Sequence, residues 1–277
     1  MGSSGMQKVL SEERGGGPGS DASRARPRTR RRALVPSGGL LGLLLLFLVA
    51  GCGSGPAWAG MSGDQLFEFG VASYEDEDWD DAIGSFETLI FQNPSYERVP
   101  EARMYLARAH FGKEEFITAA AEFDRFLQRY PSHGLAPEAS LGICRSYARL
   151  APHPQRDQEF TERAVNACRT TAQEFEGMNV ASEAREIQGR MFDRLAESLF
   201  LQGRHYQRRG FHDSAILYFQ DLVDFYPQTR WAAQGFLALH RSYTSIGWEE
   251  EAERARQRLL ENYPDSEAAR ELEGGGL

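Results

Sequence analysis

Apolar side chains recur along residues 65–266 at the three- and four-residue spacing of amphipathic helices, and the alternation typical of strands is almost absent. Four alanines share one register, and a proline follows each of them after twelve residues. The alanines are Ala82, Ala119, Ala215 and Ala252, and the prolines are Pro94, Pro131, Pro227 and Pro264. Because proline has no amide proton and ends a helix, the pattern predicts a repeat of helix pairs.

Aromatic residues flank the aligned alanines. One lies three or four residues before each alanine, at Trp79, Phe116, Phe211 and Trp248, and a phenylalanine follows three of them after four residues, at Phe86, Phe123 and Phe219. The small alanine lets two helices approach closely, and the aromatic rings fill the space beside it. This arrangement resembles the tetratricopeptide repeat (TPR) family, and the resemblance implies an all-α solenoid of helix pairs.

The middle of the chain departs from the regular repeat. Residues 139–150 and 157–175 predict a further helix pair that ends without proline, and residues 182–209 predict one uninterrupted helix of about 42 Å at 1.5 Å per residue. The sequence therefore predicts an all-α TPR-type solenoid of about five pairs, with an elongated helix in the fourth. Pairs one to three occupy residues 64–177, and pairs four and five occupy residues 178–273.

The N-terminal segment is not part of the repeat. A stretch rich in Gly, Ser, Pro and Arg precedes an apolar run at Leu40–Ala50, which is shorter than the roughly 20 residues that span a bilayer. A basic stretch before a short apolar run is typical of a secretory signal. The run ends in Val-Ala-Gly before Cys52, which resembles the lipobox of bacterial lipoproteins. An ordinary signal peptide with an incidental cysteine is the alternative.

The lipobox resemblance implies that residues 1–51 are a signal peptide and that cleavage leaves Cys52 with a diacylglycerol and an N-acyl chain. Residues 52–63 would then form a lipidated flexible tether. Gly53 follows the cysteine instead of aspartate, which by the sorting rule of Gram-negative lipoproteins implies the periplasmic face of the outer membrane. The basic segment is long, and either a later start at Met6 or a weak twin-arginine signal would account for it.

Charge limits the partners. The whole chain has a formal net charge of -9, but residues 1–51 carry eight basic and three acidic side chains, so the remaining 23 basic and 37 acidic residues give -14. This balance argues against nucleic acid, which needs a basic surface. It argues equally against a purely peripheral grip on anionic lipid headgroups. A membrane contact is therefore expected through the lipid anchor.

No catalytic or metal-binding pattern stands out. The sequence has no evident Ser/His/Asp order or Gly-rich phosphate loop, and its six histidines form no HExxH motif. We therefore predict a protein that is not an enzyme, with no metal and no cofactor besides the lipid. Cys144 and Cys168 fall on the two helices of pair three. A disulfide is allowed in an oxidising compartment, and two buried thiols are the alternative.

Several features together resemble the BamD family of outer-membrane assembly lipoproteins. They are the lipobox, the five pairs, the long fourth first-helix, and the spacing of Asp193-Arg194-Leu195-Ala196, Tyr206 and Tyr226-Pro227. The resemblance covers about residues 64–265, although these repeats are closer to a regular TPR than those of many members. It implies a scaffold of the β-barrel assembly machine that binds the POTRA domains of the barrel-forming subunit and helps to recognise nascent outer-membrane proteins.

Two alternatives remain for the function. The first is a TPR lipoprotein that coordinates the Tol–Pal system or peptidoglycan synthesis with division, although no heptad run precedes the repeats. The second is an enzyme with a TPR body, although the repeats leave almost no room for a catalytic domain.

TPR stacks bind peptides on a concave wall lined by the first helices. At the groove-facing spacing of i, i+4 and i+7 the sequence offers six candidates: Phe67, Val71, Tyr74, Met104, Arg108 and Phe111. Aromatic anchors beside one arginine suit a peptide that ends in an aromatic residue with a free carboxylate. The alternative for each residue is that it packs against the neighbouring helix.

Overall fold

The computed structural model describes residues 55–274, so the predicted signal peptide and Cys52 lie outside the described residues. Within this range the chain forms eleven α-helices and no strand. In chain order they are α1 (Gly63–Glu75), α2 (Trp79–Gln92), α3 (Val99–Gly112), α4 (Phe116–Arg129), α5 (Ala136–Leu150), α6 (Glu159–Glu174), α7 (Asn179–Arg208), α8 (His212–Phe225), α9 (Trp231–Ile246), α10 (Glu249–Asn262) and α11 (Glu267–Gly274).

The helices form five pairs, and α11 covers the end of the last one. Pairs one and four are closed where the sequence placed a small residue and an aromatic one together. A Cβ added at Gly70 would lie 2.8 Å from the Phe86 ring, and one at Gly203 would lie 2.5 Å from the Phe219 ring. Both rings are fully buried. The predicted all-α solenoid of TPR-like pairs is confirmed.

The turn inside each regular pair contains one residue with positive φ at the same register. It is glycine in pairs four and five, where Gly210 and Gly247 have φ of 78° and 77°. It is glutamate in pairs one and two, where Glu77 and Glu114 have φ of 60° and 63°. A left-handed residue with a Cβ costs roughly 1–2 kcal/mol, so the N-terminal turns are the more strained.

The elongated helix α7 belongs to two pairs at once. Its N-terminal half packs Ala184, Ile187 and Met191 against α5 and α6, and its C-terminal half packs Ala196 and Phe200 against α8 and α9. It has 30 residues and begins at Asn179, three residues earlier than the sequence indicated. Residues 55–274 belong to one compact unit, because α7 ties the three N-terminal pairs to the two C-terminal ones.

The first helices form the inner side of the solenoid. Successive first helices contact one another, whereas the backbones of successive second helices lie farther apart. We call the surface formed by α1, α3, α5, α7 and α9 the inner wall. In the described part of the chain, no helix combines the length and apolar character needed to cross a bilayer.

Pair three is closed differently from the others. Cys144 of α5 and Cys168 of α6 form a disulfide, with their Cα atoms 4.7 Å apart. One turn away, the hydroxyl oxygens of Ser140 and Thr171 lie 2.7 Å apart and share a hydrogen bond. Short polar side chains and a covalent link thus take the place of the glycine and phenylalanine that meet in pairs one and four.

The C-terminal part of the predicted tether, residues 52–63, packs against pair one. The Trp58 indole donates a hydrogen bond to Thr88 Oγ1 on α2 at 3.1 Å. Its ring covers Gly84, where an added Cβ would lie 2.1 Å from the ring. Met61 also packs against the core residues of pair one. The prediction of a flexible tether therefore does not hold for Trp58 and Met61, because the Trp58 ring packs on α2 where Gly84 has no side chain.

Candidate peptide-binding groove

Two of the six predicted groove residues belong to the core, and their assignment to the groove was wrong. Phe67 is 1% exposed, packs edge-on against Phe86, and lies under the Arg98 guanidinium at 3.5 Å. Met104 is fully buried between pairs two and three. The i, i+4, i+7 spacing identifies a helix face, but it does not say which of two apolar faces points inward.

Val71 is half-buried and packs against the core cluster of pair one. Its side chain supports the inner wall.

The other three predicted residues meet at one cavity on the inner wall. Tyr74, Arg108 and Phe111 line a pocket of about 230 Å³, which we call the arginine pocket. The remaining lining residues are Gly112, Phe123, Glu138, Gly142 and Arg145. Drug-sized ligands occupy roughly 300–1,000 Å³, so this pocket suits a single side chain or a chain terminus.

Two arginines in the pocket are held in the same way. Arg108 donates from Nε and Nη2 to the Glu138 carboxylate, at 2.9 and 2.6 Å. Arg145 donates from Nε and Nη2 to the Glu183 carboxylate, both at 2.7 Å. Each fork leaves the two protons of Nη1 for another acceptor. The carboxylates fix the guanidinium planes before a ligand arrives, which lowers the entropic cost of binding.

The electrostatics of the pocket reflect these contacts. The hydrogen bond from Arg145 lowers the pKa of the Glu183 carboxyl below its ordinary value, since it favours the charged form. Burial raises the pKa of the Tyr74 hydroxyl, so this side chain stays neutral at physiological pH. The pocket is thus lined by two guanidinium groups, one carboxylate and neutral aromatic rings, and Glu183 holds Arg145 from outside the lining.

The same kind of ion pair recurs along the inner wall. Consecutive first helices are joined by Arg98–Glu68, Arg108–Glu138 and Arg145–Glu183, and Arg241–Glu271 joins α9 to α11. Three of the four pairs are 30 residues apart in sequence. Sequence reasoning missed Glu138, for which this recurring offset was a usable signal. It also missed Arg145 and Glu183, which are 38 residues apart and do not follow the offset.

The residues on which the resemblance to assembly lipoproteins rests make stabilising contacts within pairs three to five. Arg194 donates hydrogen bonds to the carbonyl oxygens of Ala151 and Pro152, and so fixes the turn between α5 and α6. Tyr206 stacks on Tyr218, with ring centroids 5.4 Å apart. Burial raises the pKa of the Tyr226 hydroxyl. These side chains stabilise the junction at α7, and Tyr206 and Tyr218 also line a cavity of about 550 Å³ beside the turn between α5 and α6.

Pairs four and five expose large apolar side chains. Phe211, Leu217 and Phe225 are 57%, 64% and 68% exposed, and Trp248 at the start of α10 is 51% exposed. Aspartates on α8 lie among them. Exposed aromatic side chains are candidate anchors for a protein partner. Within residues 55–274, no three His, Cys, Asp or Glu side chains converge as metal ligands.

Comparisons with known proteins agree with the resemblance drawn from the sequence. The sequence model of the family described as YfiO, outer membrane lipoprotein, matches residues 60–259. An outer membrane protein assembly factor BamD of Caulobacter vibrioides is 26% identical over 216 residues, which cover 76% of this chain and 71% of that protein. The factor of the same name from Rickettsia prowazekii is 23% identical over 201 residues, covering 73% and 80%.

Solved structures resemble the chain more distantly. The TPR2AB domain of yeast Sti1 in complex with pHSP90 gives a TM-score of 0.39 at 14% identity, over 75% of this chain and 80% of that one. A thermophilic TPR protein of Thermus thermophilus gives 0.33 at 20% identity, over 77% and 98%.

Proposed function

This chain belongs to the YfiO family of outer membrane lipoproteins, and from this membership we propose that it is a scaffold for the assembly of outer-membrane β-barrel proteins. The names of its BamD relatives support this role. The scaffold acts without catalysis: it brings a substrate segment and a barrel-forming subunit together on one solenoid.

In this proposal the chain is anchored by lipid at Cys52 on the periplasmic face of the outer membrane. The apolar run, the small residues before Cys52 and the family description support the anchor. Acyl chains contribute about 0.8 kcal/mol for each buried methylene, so several chains hold the protein firmly. No other cofactor enters the proposal.

The arginine pocket binds the C-terminal residue of an unfolded β-barrel protein. The observation that carries this step is the pair of pre-oriented guanidiniums, Arg108 and Arg145, each with Nη1 unused by its carboxylate partner. A free C-terminal carboxylate accepts hydrogen bonds from these groups. An aromatic side chain next to that carboxylate packs against Tyr74 and Phe111, which line the same pocket.

The C-terminal pairs bind the POTRA-bearing barrel subunit. The exposed side chains Phe211, Leu217, Phe225 and Trp248 support this assignment, since large side chains, aromatic ones above all, anchor protein interfaces. This surface and the arginine pocket lie on different helices, so both partners can bind at the same time.

Peptide titration tests the substrate half of the proposal. The full-length protein in mild detergent is titrated with a fluorescent peptide that ends in phenylalanine with a free carboxylate, and with the same peptide amidated at its C-terminus. We expect the free acid to bind at least about tenfold more tightly, a difference of about 1.4 kcal/mol. Equal affinity for the two peptides would remove the pocket's proposed role.

A pull-down from native membranes in mild detergent, followed by mass spectrometry, tests the partner half. We expect a POTRA-bearing barrel protein in near-equal amount. Recovery of Tol–Pal or peptidoglycan-synthesis proteins in its place would keep the fold and the anchor but replace the assembly role with envelope coordination.

A further inference from the structure

One groove on the outer side of the N-terminal pairs departs from the repeat. It lies between α2 and α4 over α3, has a volume of about 440 Å³, and is called the outer groove here. Its counterpart between α8 and α10 lies 133 residues further along the chain and has a volume of about 420 Å³. All seven residues that line the outer groove have their register equivalents in the lining of the counterpart.

The first departure is on the floor of the groove. The position sixteen residues before the aligned alanine is Leu66, Arg103, Leu199 and Phe236 in pairs one, two, four and five. Three of these residues are apolar, and only Arg103 is charged. Its Nε is buried and has no hydrogen-bond partner, which is costly unless a ligand satisfies it.

The second departure is on the rim. The position nine residues after the aligned alanine is Phe91, Gln128, Asp224 and Glu261. Phe91 is therefore the single apolar member of the set, and it is 86% exposed. Since both departures fall in the same groove, repeat structure alone does not account for them.

More guanidinium groups lie beside Phe91. Arg103 and Arg125 also line a neighbouring cavity of about 390 Å³, together with Gln128 and Arg129. Glu122 pairs with Arg125, and Glu87 lies on the rim. Three guanidiniums against two carboxylates leave a local surface that is weakly positive, in a protein whose remainder after residue 51 carries -14.

Chain length restricts what can reach this groove. Six residues separate the predicted anchor at Cys52 from Trp58, and a chain spans at most about 3.3–3.6 Å per residue, which gives an upper limit near 20 Å. Trp58 is held on α2 at Gly84 and Thr88. Phe91 continues that stripe at i, i+4 and i+7, about 4.5 Å beyond Thr88 along the helix axis.

We propose that the outer groove docks on the phospholipid surface that carries the chain's own anchor. Phe91 enters the interface between headgroups and acyl chains, where aromatic side chains are favoured, and the guanidiniums bind headgroup phosphates. The inference rests on the proposed lipid anchor at Cys52. It orients the solenoid with α2 against the membrane, so that the inner wall and its arginine pocket face away from the lipid.

The negative charge of the protein does not oppose this contact strongly. Exposed charges farther than a Debye length of about 8 Å are screened at physiological ionic strength. The acyl chains supply the affinity for the membrane, and the outer groove only has to select one orientation among those that the short tether permits.

Lipid quenching of a single fluorophore tests the proposal. The full-length lipidated chain has one cysteine in the anchor and two in the disulfide, so a Gln92→Cys variant offers one thiol for labelling. Asn262→Cys is the matched control, because it occupies the same register in pair five and is also exposed. Each labelled protein is reconstituted into vesicles of phosphatidylethanolamine and phosphatidylglycerol, with and without a doxyl-labelled phospholipid.

We expect the label at residue 92 to be quenched at least about twofold more than the label at residue 262. Adding Phe91→Ser or Trp58→Ala to the Gln92→Cys protein should reduce its quenching to the control level. Circular dichroism of each variant shows whether it has folded.

Vesicle flotation distinguishes an error in the proposed docking from an error in the proposed lipid anchor. If the protein floats with the vesicles but residues 92 and 262 are quenched equally, the docking is wrong and the anchor stands. If the protein does not float, the anchor is wrong and the docking falls with it.

Discussion

Pairs one and two share their backbone register with pairs four and five, yet the two regions present different chemistry. In the N-terminal region the inner wall carries arginines held by glutamates beside aromatic rings. In the C-terminal region α8 exposes Leu217 and Phe225, whereas Phe91 and Ile117, which are exposed on the N-terminal second helices, lie outside the arginine pocket. The first arrangement suits a charged chain terminus, and the second suits a broad protein surface.

The difference shows what a repeat fixes and what it leaves open. The aligned alanines, aromatic residues and prolines determine how helices pair and where they end. Positions that are not needed for pairing vary between copies, as Arg103 and Phe236 do at one position. The residues to which we assign binding therefore lie at positions where the repeat copies differ from one another.

The largest expected effect comes from removing the ring that closes pair four. Phe219→Ala deletes a fully buried side chain and should lower the free energy of unfolding by about 3–5 kcal/mol. Repeat proteins lose structure locally, so hydrogen exchange should rise in α8 to α10 and stay unchanged in α1 to α4. Phe225→Ala, which truncates an exposed residue of the same helix, is the control. A uniform rise along the whole chain would contradict this division.

The next effect concerns pair three, which links the two regions. Replacing both Cys144 and Cys168 by alanine removes a crosslink over a sequence separation of 24 residues. The chain-entropy model gives a loss of about 3 kcal/mol, measured by chemical denaturation. Intact-mass analysis of the native protein should show a gain of two hydrogen atoms on reduction. No such gain would mean that the two thiols are free.

Arg108→Gln tests the arginine pocket. Charge-assisted hydrogen bonds contribute about 1.5–3 kcal/mol, so the affinity for the free-acid peptide should fall by more than about tenfold while that for the amidated peptide changes little. Arg163→Gln is the matched control, since Arg163 also pairs with a glutamate but lies on α6 outside the pocket. An equal loss in the two variants would show a general charge effect.

The turn residues provide a reciprocal test of the two regions. Glu77→Gly relieves a positive φ and should stabilise the protein by about 1 kcal/mol. Gly210→Glu places the opposite residue at the equivalent turn and should destabilise it by a similar amount. Thermal unfolding measures both, and a destabilised Glu77→Gly variant would show that this glutamate has a contact that outweighs its strain.

The smallest effect is a pH dependence. Because Arg145 lowers the pKa of Glu183 from its ordinary value of 4.5, this pair stabilises the fold above that pH. Its contribution is lost as the pH falls through the lower pKa of the folded state. Glu183→Gln should therefore show a weaker decline of Tm below about pH 4 than the native protein. Identical declines would indicate that the pair is fully screened by solvent.

Much of this architecture could be predicted from the sequence, because proline and the small–aromatic pairs act locally. The long α7 and the five pairs follow from them. The phase of the helices could not be predicted, so Phe67 and Met104 were placed in the groove although the core buries them. Glu138 and Arg145 escaped notice because their meeting depends on how successive first helices stack. Trp58 escaped because Gly84 is distant in sequence.

Site-specific photocrosslinking in living cells tests the central claim most directly. One crosslinking residue replaces Phe111 in the arginine pocket, and another replaces the exposed Leu217 on α8. We expect position 111 to capture C-terminal segments of unfolded β-barrel proteins and position 217 to capture a POTRA-bearing subunit. Capture of the same partner at both positions, or of peptidoglycan-synthesis proteins at either, would contradict this claim.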